Sequence, residues 1–388
     1  MSDTTFSKEE LERYSRHLII PEFNIEGQRK LKEARVLVVG SGGLGAPLLQ
    51  YLSAAGVGTI GIVDFDIVED SNLQRQVLFT QADIGRLKVE VAKERIQAQN
   101  PHIEVKTYAT AFTSKNAVEI ASGYDLIADG TDNFPTRYLV NDVAVMLGIP
   151  NVYASIFRFE GQLTVFNYKD EEGNRGPNYR DLFPTPPPPG LVPSCAEGGV
   201  IGVLPAILGS LQANEVIKVI TGIGENLSGK LFLFNALNVE SRTLKIQKDP
   251  NNPLTGEKPT LTELIDYEKF CGLGIDKKKE GKNIKEVDVE TLKKWLDSEE
   301  NIQLIDVREP FEYEIANING KLIPQNDILE HVEDISSEYK VVIHCRSGKR
   351  SADVIELLQS KYGFKNLYNL EGGILAWADR IDKSLPKY

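Results

Sequence analysis

The stretch Arg35-Val36-Leu37-Val38-Val39-Gly40-Ser41-Gly42-Gly43-Leu44-Gly45 carries the strongest structural signal in the chain. Its first residues form a short apolar run, typical of a buried strand, that leads directly into glycines. A helix is then predicted from Ala46 to Ala55, and a second strand from Thr59 to Val63. Glycines between a strand and a helix let backbone amides and the helix N-terminus approach a phosphate. The stretch therefore predicts a strand–helix–strand unit that binds a nucleotide.

The same alternation continues along the chain. Further strands are predicted at 103–108, 124–128, 151–154 and 163–166, and helices at 87–99, 135–147 and 201–220. This order predicts an α/β fold with a Rossmann-like, doubly wound, mostly parallel sheet. The proline-rich stretch 184–193 is predicted to be an extended loop.

A second α/β pattern begins after a change in composition. Residues 249–283 are rich in proline, glycine and charge, which is typical of a connector. Strands are then predicted at 303–307 and 341–344, and helices at 292–296 and 352–358. We therefore expect a first domain over 1–248, a linker over 249–283 and a smaller α/β domain over 284–388.

Composition excludes several classes of function. The formal net charge of −12 disfavours an extended nucleic-acid interface, which needs a basic face. The first residues lack an apolar signal core, and no apolar stretch is long enough to span a bilayer, so we expect a cytoplasmic protein without membrane contact. Three widely spaced cysteines, Cys195, Cys271 and Cys345, favour individual thiol chemistry over a disulfide framework.

The glycine motif alone leaves the nucleotide open. Asp64 ends the second strand, where a carboxylate accepts hydrogen bonds from ribose, and this pattern is commoner in dinucleotide oxidoreductases. Polar residues that follow favour a triphosphate instead, because cations neutralise phosphates and a carboxylate holds Mg²⁺. These residues are the Ser71-Asn72-Leu73-Gln74-Arg75-Gln76 segment, Lys88, and the pair Asp132-Asn133.

Five sequence motifs, in a fixed order along the chain, are typical of one protein family. They are ERYSRHLIIPEFNIEGQRKL (12–31), GSGGLG (40–45), GVGTIGIVDFDIVEDSNLQRQ (56–76), DGTDNFPTRY (129–138) and LVPSCAEGGVIG (191–202). Residues 8–248 thereby resemble the MoeB/ThiF group of E1-like enzymes. The resemblance implies that ATP and Mg²⁺ are used to adenylate the C-terminal glycine of a ubiquitin-like sulfur carrier, MoaD-like or ThiS-like, with release of pyrophosphate.

The resemblance also assigns roles to individual residues. An arginine matching Arg16 reaches the nucleotide of the neighbouring subunit in the family, which implies a homodimer. Asp132, beside Asn133, matches the aspartate linked to Mg²⁺, and Asp64 matches the ribose ligand. The remaining residues are assigned to the phosphates: Gly40, Gly42, Gly43, Gly45, Ser71, Asn72, Arg75 and Lys88.

Two features concern cysteine. Many family members hold a structural zinc with two Cys-x-x-Cys pairs, but the matching positions 178–181 and 252–255 contain no cysteine, so we expect no zinc there.

Cys195 precedes a predicted helix, whose N-terminus lowers a thiol's pKa, and it matches a cysteine that links covalently to the carrier in relatives. Cys271 matches a linker position, and we assign it no catalytic role.

The C-terminal domain resembles a single rhodanese domain over 284–388. Its motifs are LIDVRE (304–309), HCRSGKRS (344–351), LEGGI (370–374) and Trp377. Cys345 is predicted to end a strand and start a loop whose amides and arginines stabilise a persulfide. A phosphatase loop is the alternative, but its Cys-x5-Arg spacing is one residue longer than that from Cys345 to Arg350. His344 precedes Cys345 on the strand and is predicted to point to the opposite face.

The two halves together resemble fused MoeB–rhodanese proteins. Adenylation makes the carrier's glycine electrophilic, and a persulfide on Cys345, loaded by a cysteine desulfurase or thiosulfate, converts it to a thiocarboxylate. Such a product serves molybdopterin, thiamin or related sulfur-transfer biosynthesis. A nicotinamide oxidoreductase and a binding scaffold with a docking rhodanese module remain as alternatives.

Overall fold

The computed structural model describes residues 5–188, 198–272, 284–298 and 301–388. The chain divides into two compact units, Met1–Ile275 and Asp276–Tyr388.

The first unit is built on an eight-stranded sheet in the order β3-β2-β1-β4-β5-β6-β7-β8. The strands β1 to β5 pair in parallel, and β6 to β8 extend the sheet in antiparallel pairs. Their bounds are β1 Arg35–Val39, β2 Thr59–Val63, β3 Glu104–Tyr108, β4 Leu126–Asp129, β5 Asn151–Phe157, β6 Glu160–Phe166, β7 Lys230–Asn235 and β8 Glu240–Lys245. The predicted doubly wound, mostly parallel α/β fold is confirmed.

Helices cover both faces of this sheet. Side chains alternate along β1, so that Val36 and Val38 join one core and Leu37 and Val39 join the other. The helices are α1 Lys8–Arg13, α2 Ser15–Leu18, α3 Asn24–Glu33, α4 Gly45–Ala55, α5 Lys88–Gln99, α6 Ala117–Ala121, α7 Phe134–Leu147, α8 Tyr179–Leu182, α9 Leu204–Thr221 and α10 Tyr267–Phe270. The parallel strand β1 is apolar on both faces because both are buried.

The strand register brings the functional loops together. Val39 at the end of β1 pairs with Val63 at the end of β2 and with Asp129 at the end of β4. The loops that follow these three strands therefore leave the sheet at the same edge. Ligands bind in α/β sheets at this edge, where the strand order reverses, here between β1 and β4.

The segment after residue 249 differs from the predicted connector. Residues 249–272 belong to the first unit, and the rest of the expected linker, 273–283, lies outside the described residues. The Tyr267 hydroxyl donates to Asp142 Oδ2 at 2.7 Å, and the same buried carboxylate holds Arg180 at 2.7 and 2.8 Å. Phe270 lies 4.9 Å from the Arg180 guanidinium. The segment contains the short helix α10, which packs on α7. Sequence analysis did not predict this helix, because prolines and charged residues are typical of a connector.

The second unit contains a five-stranded parallel sheet in the order β11-β10-β12-β13-β9. Apolar clusters lie on its two faces, with Ile343 in one and Val342 in the other. Its strands are β9 Lys285–Val287, β10 Ile302–Asp306, β11 Lys321–Leu322, β12 Lys340–His344 and β13 Leu367–Leu370, and its helices are α11 Val289–Asp297, α12 Pro310–Ile315, α13 Lys349–Tyr362 and α14 Gly373–Arg380.

Within the described ranges, no helix has both the length and the apolar character needed to cross a membrane.

Candidate functional site

A pocket opens at the edge of the first sheet where β1, β2 and β4 end. Its lining contains glycines, acidic and basic side chains, and apolar residues from β1, β2 and the loop after β3. The residues include Val39, Gly40, Gly42, Gly43, Asp64, Asp66, Arg75, Gln76, Lys88, Phe112, Thr131, Asp132, Asn133, Thr136, Arg137, Ile156 and Val200. Eight of the eleven residues predicted to bind the nucleotide line it.

Close backbone packing explains two glycines of the loop. Gly40 has φ +91°, and a Cβ there would lie 3.0 Å from the Gly130 carbonyl oxygen. A Cβ at Gly45 would lie 2.1 Å from the Gly40 carbonyl oxygen, so no other residue fits without a backbone shift. Gly45 does not line the pocket. It permits the tight turn that aims the N-terminus of α4 at the pocket, where a phosphate is stabilised.

The Asp64 carboxylate is held in place by the glycine loop. Its Oδ2 accepts hydrogen bonds from the Ser41 backbone amide and hydroxyl, both at 2.8 Å, and Oδ1 accepts one from the Asp66 amide at 3.0 Å. Oδ2 accepts two hydrogen bonds already, whereas Oδ1 accepts one and has a further lone-pair direction for a ligand hydroxyl. The geometry suits the predicted contact with ribose.

Two cationic side chains, Lys88 and Arg75, face the pocket, and each is held by a different partner in the protein. Lys88, 5% exposed, places Nζ 3.0 Å from Asp66 Oδ2. The Arg75 guanidinium donates to the Ser71 carbonyl oxygen at 3.0 Å. Ser71 and Asn72 do not line the pocket, because the Asn72 side chain accepts from the Glu69 amide at 3.2 Å and shapes the turn before Arg75. Their predicted direct contact with the nucleotide stays a prediction.

Asp132 and Asn133 lie at the start of α7. The Asn133 side chain accepts from the Thr136 amide at 3.0 Å and caps the helix. Asp132 is exposed at the pocket. No cluster of three metal-ligating side chains occurs among the described residues. A single carboxylate fits Mg²⁺ bound together with substrate phosphates, the usual arrangement for this ion.

Two predicted catalytic residues are not placed in this pocket. Arg16 is exposed on α2 and does not line it, so its role toward the neighbouring subunit stays a prediction. Cys195 lies outside the described residues.

Two residues of these motifs were assigned no individual role at the site. Arg137, 7% exposed, lines the pocket and donates to the Thr131 carbonyl oxygen at 3.2 Å. Gln76 also lines it, and its buried Oε1 has no hydrogen-bond partner among the described residues. Both lie in segments already singled out, SNLQRQ and DGTDNFPTRY. Only the three-dimensional structure shows that they turn inward rather than toward solvent.

The positions expected to lack zinc form a hydrogen-bonded cluster. Asn178 Nδ2 donates to Thr255 Oγ1 at 2.9 Å, and Asn252 Nδ2 donates to Asp181 Oδ1 at 2.7 Å. Asp181 also accepts from the backbone amides of Asn178 and Asp249. These side chains offer no thiolate or imidazole and satisfy one another, so they do not fit a tetrahedral zinc ion. We call Asn178, Asp181, Asn252 and Thr255 the polar cluster.

Cys345 lies at the end of β12 in the second unit. Its Sγ is 3.2 Å from the Gly348 amide nitrogen and 3.5 Å from Ser351 Oγ, both in donor positions. The side chain is 1% exposed at the base of the loop that leads into α13. Amide and hydroxyl donors around a sulfur stabilise negative charge on it, as the predicted persulfide requires.

Two arginines near Cys345 are held by acidic side chains, and a third is held by a backbone carbonyl oxygen. Arg350 binds both oxygens of Glu312, at 2.6 and 2.7 Å, and this carboxylate raises the pKa of Arg350. Arg308 and Asp306 form a fully buried ion pair. Arg346 Nε donates to the Tyr388 carbonyl oxygen at 2.6 Å. The carboxylates of Asp306 and Glu312 thus fix Arg308 and Arg350 in place, and the raised pKa of each arginine keeps it charged near neutral pH.

His344 is buried, as expected, and is not placed as a base for Cys345. Burial lowers the pKa of His344 to about 4, although Asp306 Oδ2 lies 3.6 Å from its Nε2. Cys271 is also buried, and burial raises the pKa of its thiol to about 11. A thiol with that pKa is almost entirely protonated near neutrality, which agrees with its assignment as non-catalytic.

Models of two known families match the two parts of the chain. A model of the ThiF family matches residues 14–254, and a model of the Rhodanese-like domain matches residues 288–380. The chain therefore belongs to the ThiF family and carries a C-terminal rhodanese-like domain.

Relatives extend the similarity over the full chain. The "Probable adenylyltransferase/sulfurtransferase MoeZ" of Mycobacterium tuberculosis is 49% identical over 388 residues, covering 99% of this chain and 97% of that protein. The "Adenylyltransferase and sulfurtransferase MOCS3" of Bos taurus is 41% identical, covering 98% and 88%. The "Sulfur carrier protein adenylyltransferase" of Thermus thermophilus is 56% identical over 268 residues, covering 69% and 99%.

Solved structures share the fold of the first unit. E. coli MccB in complex with AMPCPP and MccA has a TM-score of 0.56 at 22% identity, covering 66% of this chain and 76% of that chain. PaaA has a TM-score of 0.52 at 24% identity, covering 64% and 78%.

Proposed function

We propose that this protein is an ATP-dependent adenylyltransferase for a ubiquitin-like sulfur carrier and the sulfurtransferase that then acts on the same carrier. The observation that carries the proposal is the presence in one chain of a cation-lined nucleotide pocket and a cysteine held in a loop of donors. Relatives named for both activities match almost the whole chain. A nicotinamide oxidoreductase would explain neither Lys88 and Arg75 at the pocket nor Cys345.

The pocket residues suit adenylation of a carboxylate. Asp64 orients the ribose, the apolar portion around Phe112 receives the base, and the α4 N-terminus faces the phosphates. A carboxylate oxygen of the carrier attacks the α-phosphorus, and the bond to the β-phosphate oxygen breaks, releasing pyrophosphate. Lys88 and Arg75 stabilise the charge on the departing pyrophosphate. When Mg²⁺ is bound with ATP, held by Asp132, it neutralises further phosphate charge.

Sulfur transfer follows on the activated glycine. The terminal sulfur of a Cys345 persulfide attacks the acyl carbon, AMP leaves, and the glycine is joined to Cys345 through two sulfurs. The thiolate of an external thiol then attacks the Cys345 sulfur, so that the thiocarboxylate departs and a mixed disulfide remains, which a second external thiol reduces. For Cys195 we propose the role that the resemblance implies, a covalent link to the carrier. The Gly348 amide and the Ser351 hydroxyl stabilise the sulfur anion that each step requires.

The proposal includes the partners. The carrier is a ubiquitin-like protein with a C-terminal glycine, MoaD-like or ThiS-like. The sulfur donor is a cysteine desulfurase or thiosulfate. The active form is a homodimer in which Arg16 completes the neighbouring pocket, and the enzyme acts in the cytoplasm, where thiols are kept reduced.

Isotope exchange tests the first activity. The protein is incubated with Mg-ATP and labelled pyrophosphate, with and without a MoaD-like or ThiS-like carrier. We expect label to enter ATP only when a carrier with a free C-terminal glycine is present. Exchange with none of the carriers, together with reduction of NAD⁺ or NADP⁺ by a candidate substrate, would replace the proposal with the oxidoreductase interpretation.

A further inference from the structure

The pocket has two distinct ends along the sheet edge. Asp64 follows β2, the glycine loop follows β1, Thr131 follows β4, and Ile156 lies on β5, in the spatial order β2-β1-β4-β5. Lys88 belongs to the β2 end because it pairs with Asp66. Displacement at phosphorus places the attacking and leaving oxygens in line. With pyrophosphate held by Lys88 at the β2 end, the attacking carboxylate enters from the β4–β5 end.

Arg137 is the cation of the β4–β5 end. Its side chain lines the pocket but is 7% exposed, and its guanidinium donates to the Thr131 carbonyl oxygen. Two rings flank the guanidinium carbon, Phe134 at 5.7 Å and Tyr153 at 5.8 Å from their centroids. Such packing fixes a planar guanidinium in one orientation before a ligand arrives.

A buried acidic residue, Asp129, lies near Arg137. Asp129, fully buried at the end of β4, accepts hydrogen bonds from Thr131 through Oδ1, and its Oδ2 has no hydrogen-bond partner among the described residues. Burial raises the pKa of Asp129, and the nearby Arg137 opposes this effect. Asp129 therefore lies near the cation at the pocket wall, in a setting where burial disfavours the charged carboxylate.

We propose that Arg137 is a catalytic residue that binds the C-terminal carboxylate of the carrier and holds it against the α-phosphate. The inference rests on the proposed adenylation. A planar guanidinium pairs with both oxygens of a carboxylate, which fixes its direction of attack. It also offsets the repulsion between two anions that must approach each other.

A binding cycle with a modified carrier tests this role directly. Affinity is measured for the full-length protein with a non-hydrolysable ATP analogue and two carriers, one with a free C-terminal glycine and one with a glycine amide. The enzyme variants are Arg137→Gln and Arg137→Lys, and Arg95→Gln on α5 is the surface control. Carrier-dependent pyrophosphate exchange by the unaltered protein establishes the proposed function independently.

We expect the unaltered protein and the Arg95→Gln control to bind the amide carrier roughly 10- to 100-fold more weakly than the carboxylate carrier. In Arg137→Gln the two carriers bind alike, with unchanged affinity for the ATP analogue. Arg137→Lys keeps the charge beside Asp129, so it folds normally but recovers only part of the preference for carboxylate. A full preference retained in both variants overturns the role of Arg137, as does weaker binding of the ATP analogue, which would place Arg137 on the nucleotide.

Discussion

Single residues around the pocket are oriented by partners within the protein. Lys88 is paired with Asp66 and Asp64 is held by Ser41, so neither has to be reorganised when a ligand enters. Preorganised charges of this kind stabilise developing charge at little further cost. The effect of removing one of them is therefore expected mainly in the rate of adenylation and less in folding.

Lys88→Met tests this expectation. The methionine replaces the aliphatic stem, and Asp66, half exposed, stays solvated, so stability changes little. We expect carrier-dependent pyrophosphate exchange to slow on the order of 100-fold. Lys106→Met, an exposed lysine paired with Glu104 on β3, is the matched control and should leave exchange unchanged. Equal rates in the two variants would remove Lys88 from the phosphate site.

His344 predicts a pH dependence of stability. Its pKa in the folded protein is about 4, against an ordinary value of 6.5, so between these values the unfolded chain binds a proton that the folded chain does not. The free energy of unfolding of the second unit therefore falls by roughly 3 kcal/mol as the pH drops through this window. Both tryptophans, Trp295 and Trp377, lie in this unit, so their fluorescence reports its unfolding in urea.

His344→Gln should remove this component of the pH dependence while leaving that of the carboxylates. The comparison is the difference between the two proteins at each pH, which isolates the histidine. If both proteins lost stability in parallel between pH 6.5 and 4, His344 would not be the buried neutral group described above.

The location of single site residues could be predicted where the residue type suits the chemistry and the residue directly follows a predicted strand. Asp64, the glycines and Cys345 follow predicted strands, and the carboxyl ends of parallel strands share an edge. Arg137 could not be predicted to face the pocket, because an arginine one turn into a helix faces solvent or ligand according to packing that the pattern does not contain. Motif position predicts that Ser71 and Asn72 contact the nucleotide, and the structure shows that the Asn72 side chain also shapes the loop, so their contact with the nucleotide stays a prediction.

At the scale of elements, strands and helices followed hydrophobic periodicity closely. The helix predicted at 46–55 is α4, and the strand at 59–63 is β2. Residues 249–272 were predicted to be a connector because they are rich in proline and charge. A few contacts nevertheless attach this segment to the first unit. Those contacts, Tyr267 on Asp142 and the polar cluster, join positions far apart in sequence, which local composition does not reveal.

The polar cluster predicts how the segment 249–256 is stabilised. Asp181→Ala leaves the amides of Asn178 and Asp249 and the Asn252 side chain without an acceptor. We expect local opening of this segment to become easier by about 3 kcal/mol, measured as faster amide hydrogen exchange. Asp170→Ala, in an exposed turn where Asp170 accepts from Asn174, is the control.

Treatment with a metal chelator is a second test of the polar cluster. Because hydrogen bonds link these residues, prolonged treatment with EDTA should leave exchange of the segment unchanged in the unaltered protein. Faster exchange after chelation, reversed by added zinc, would contradict the account.

At the scale of the whole molecule, two separate sheets carry two chemical steps. The first unit has the pocket, and the second has Cys345 in a loop closed by donors and ion pairs. Each domain type was predictable from motifs in order, since each places a diagnostic loop after a buried strand. Joining the two in one chain raises the effective concentration of the persulfide near the adenylated carrier. The same carrier molecule passes through both steps.

The most direct test is the mass of the carrier after a single turnover with Mg-ATP and a persulfide donor. The unaltered protein should yield carrier thiocarboxylate, and Cys345→Ala should yield only the AMP adduct, because the sulfur nucleophile is lost while the pocket is intact. Cys271→Ala, which removes a buried thiol of raised pKa, is the matched control and should behave like the unaltered protein. Thiocarboxylate formed at the normal rate by Cys345→Ala, or no AMP adduct in any protein, would contradict the account.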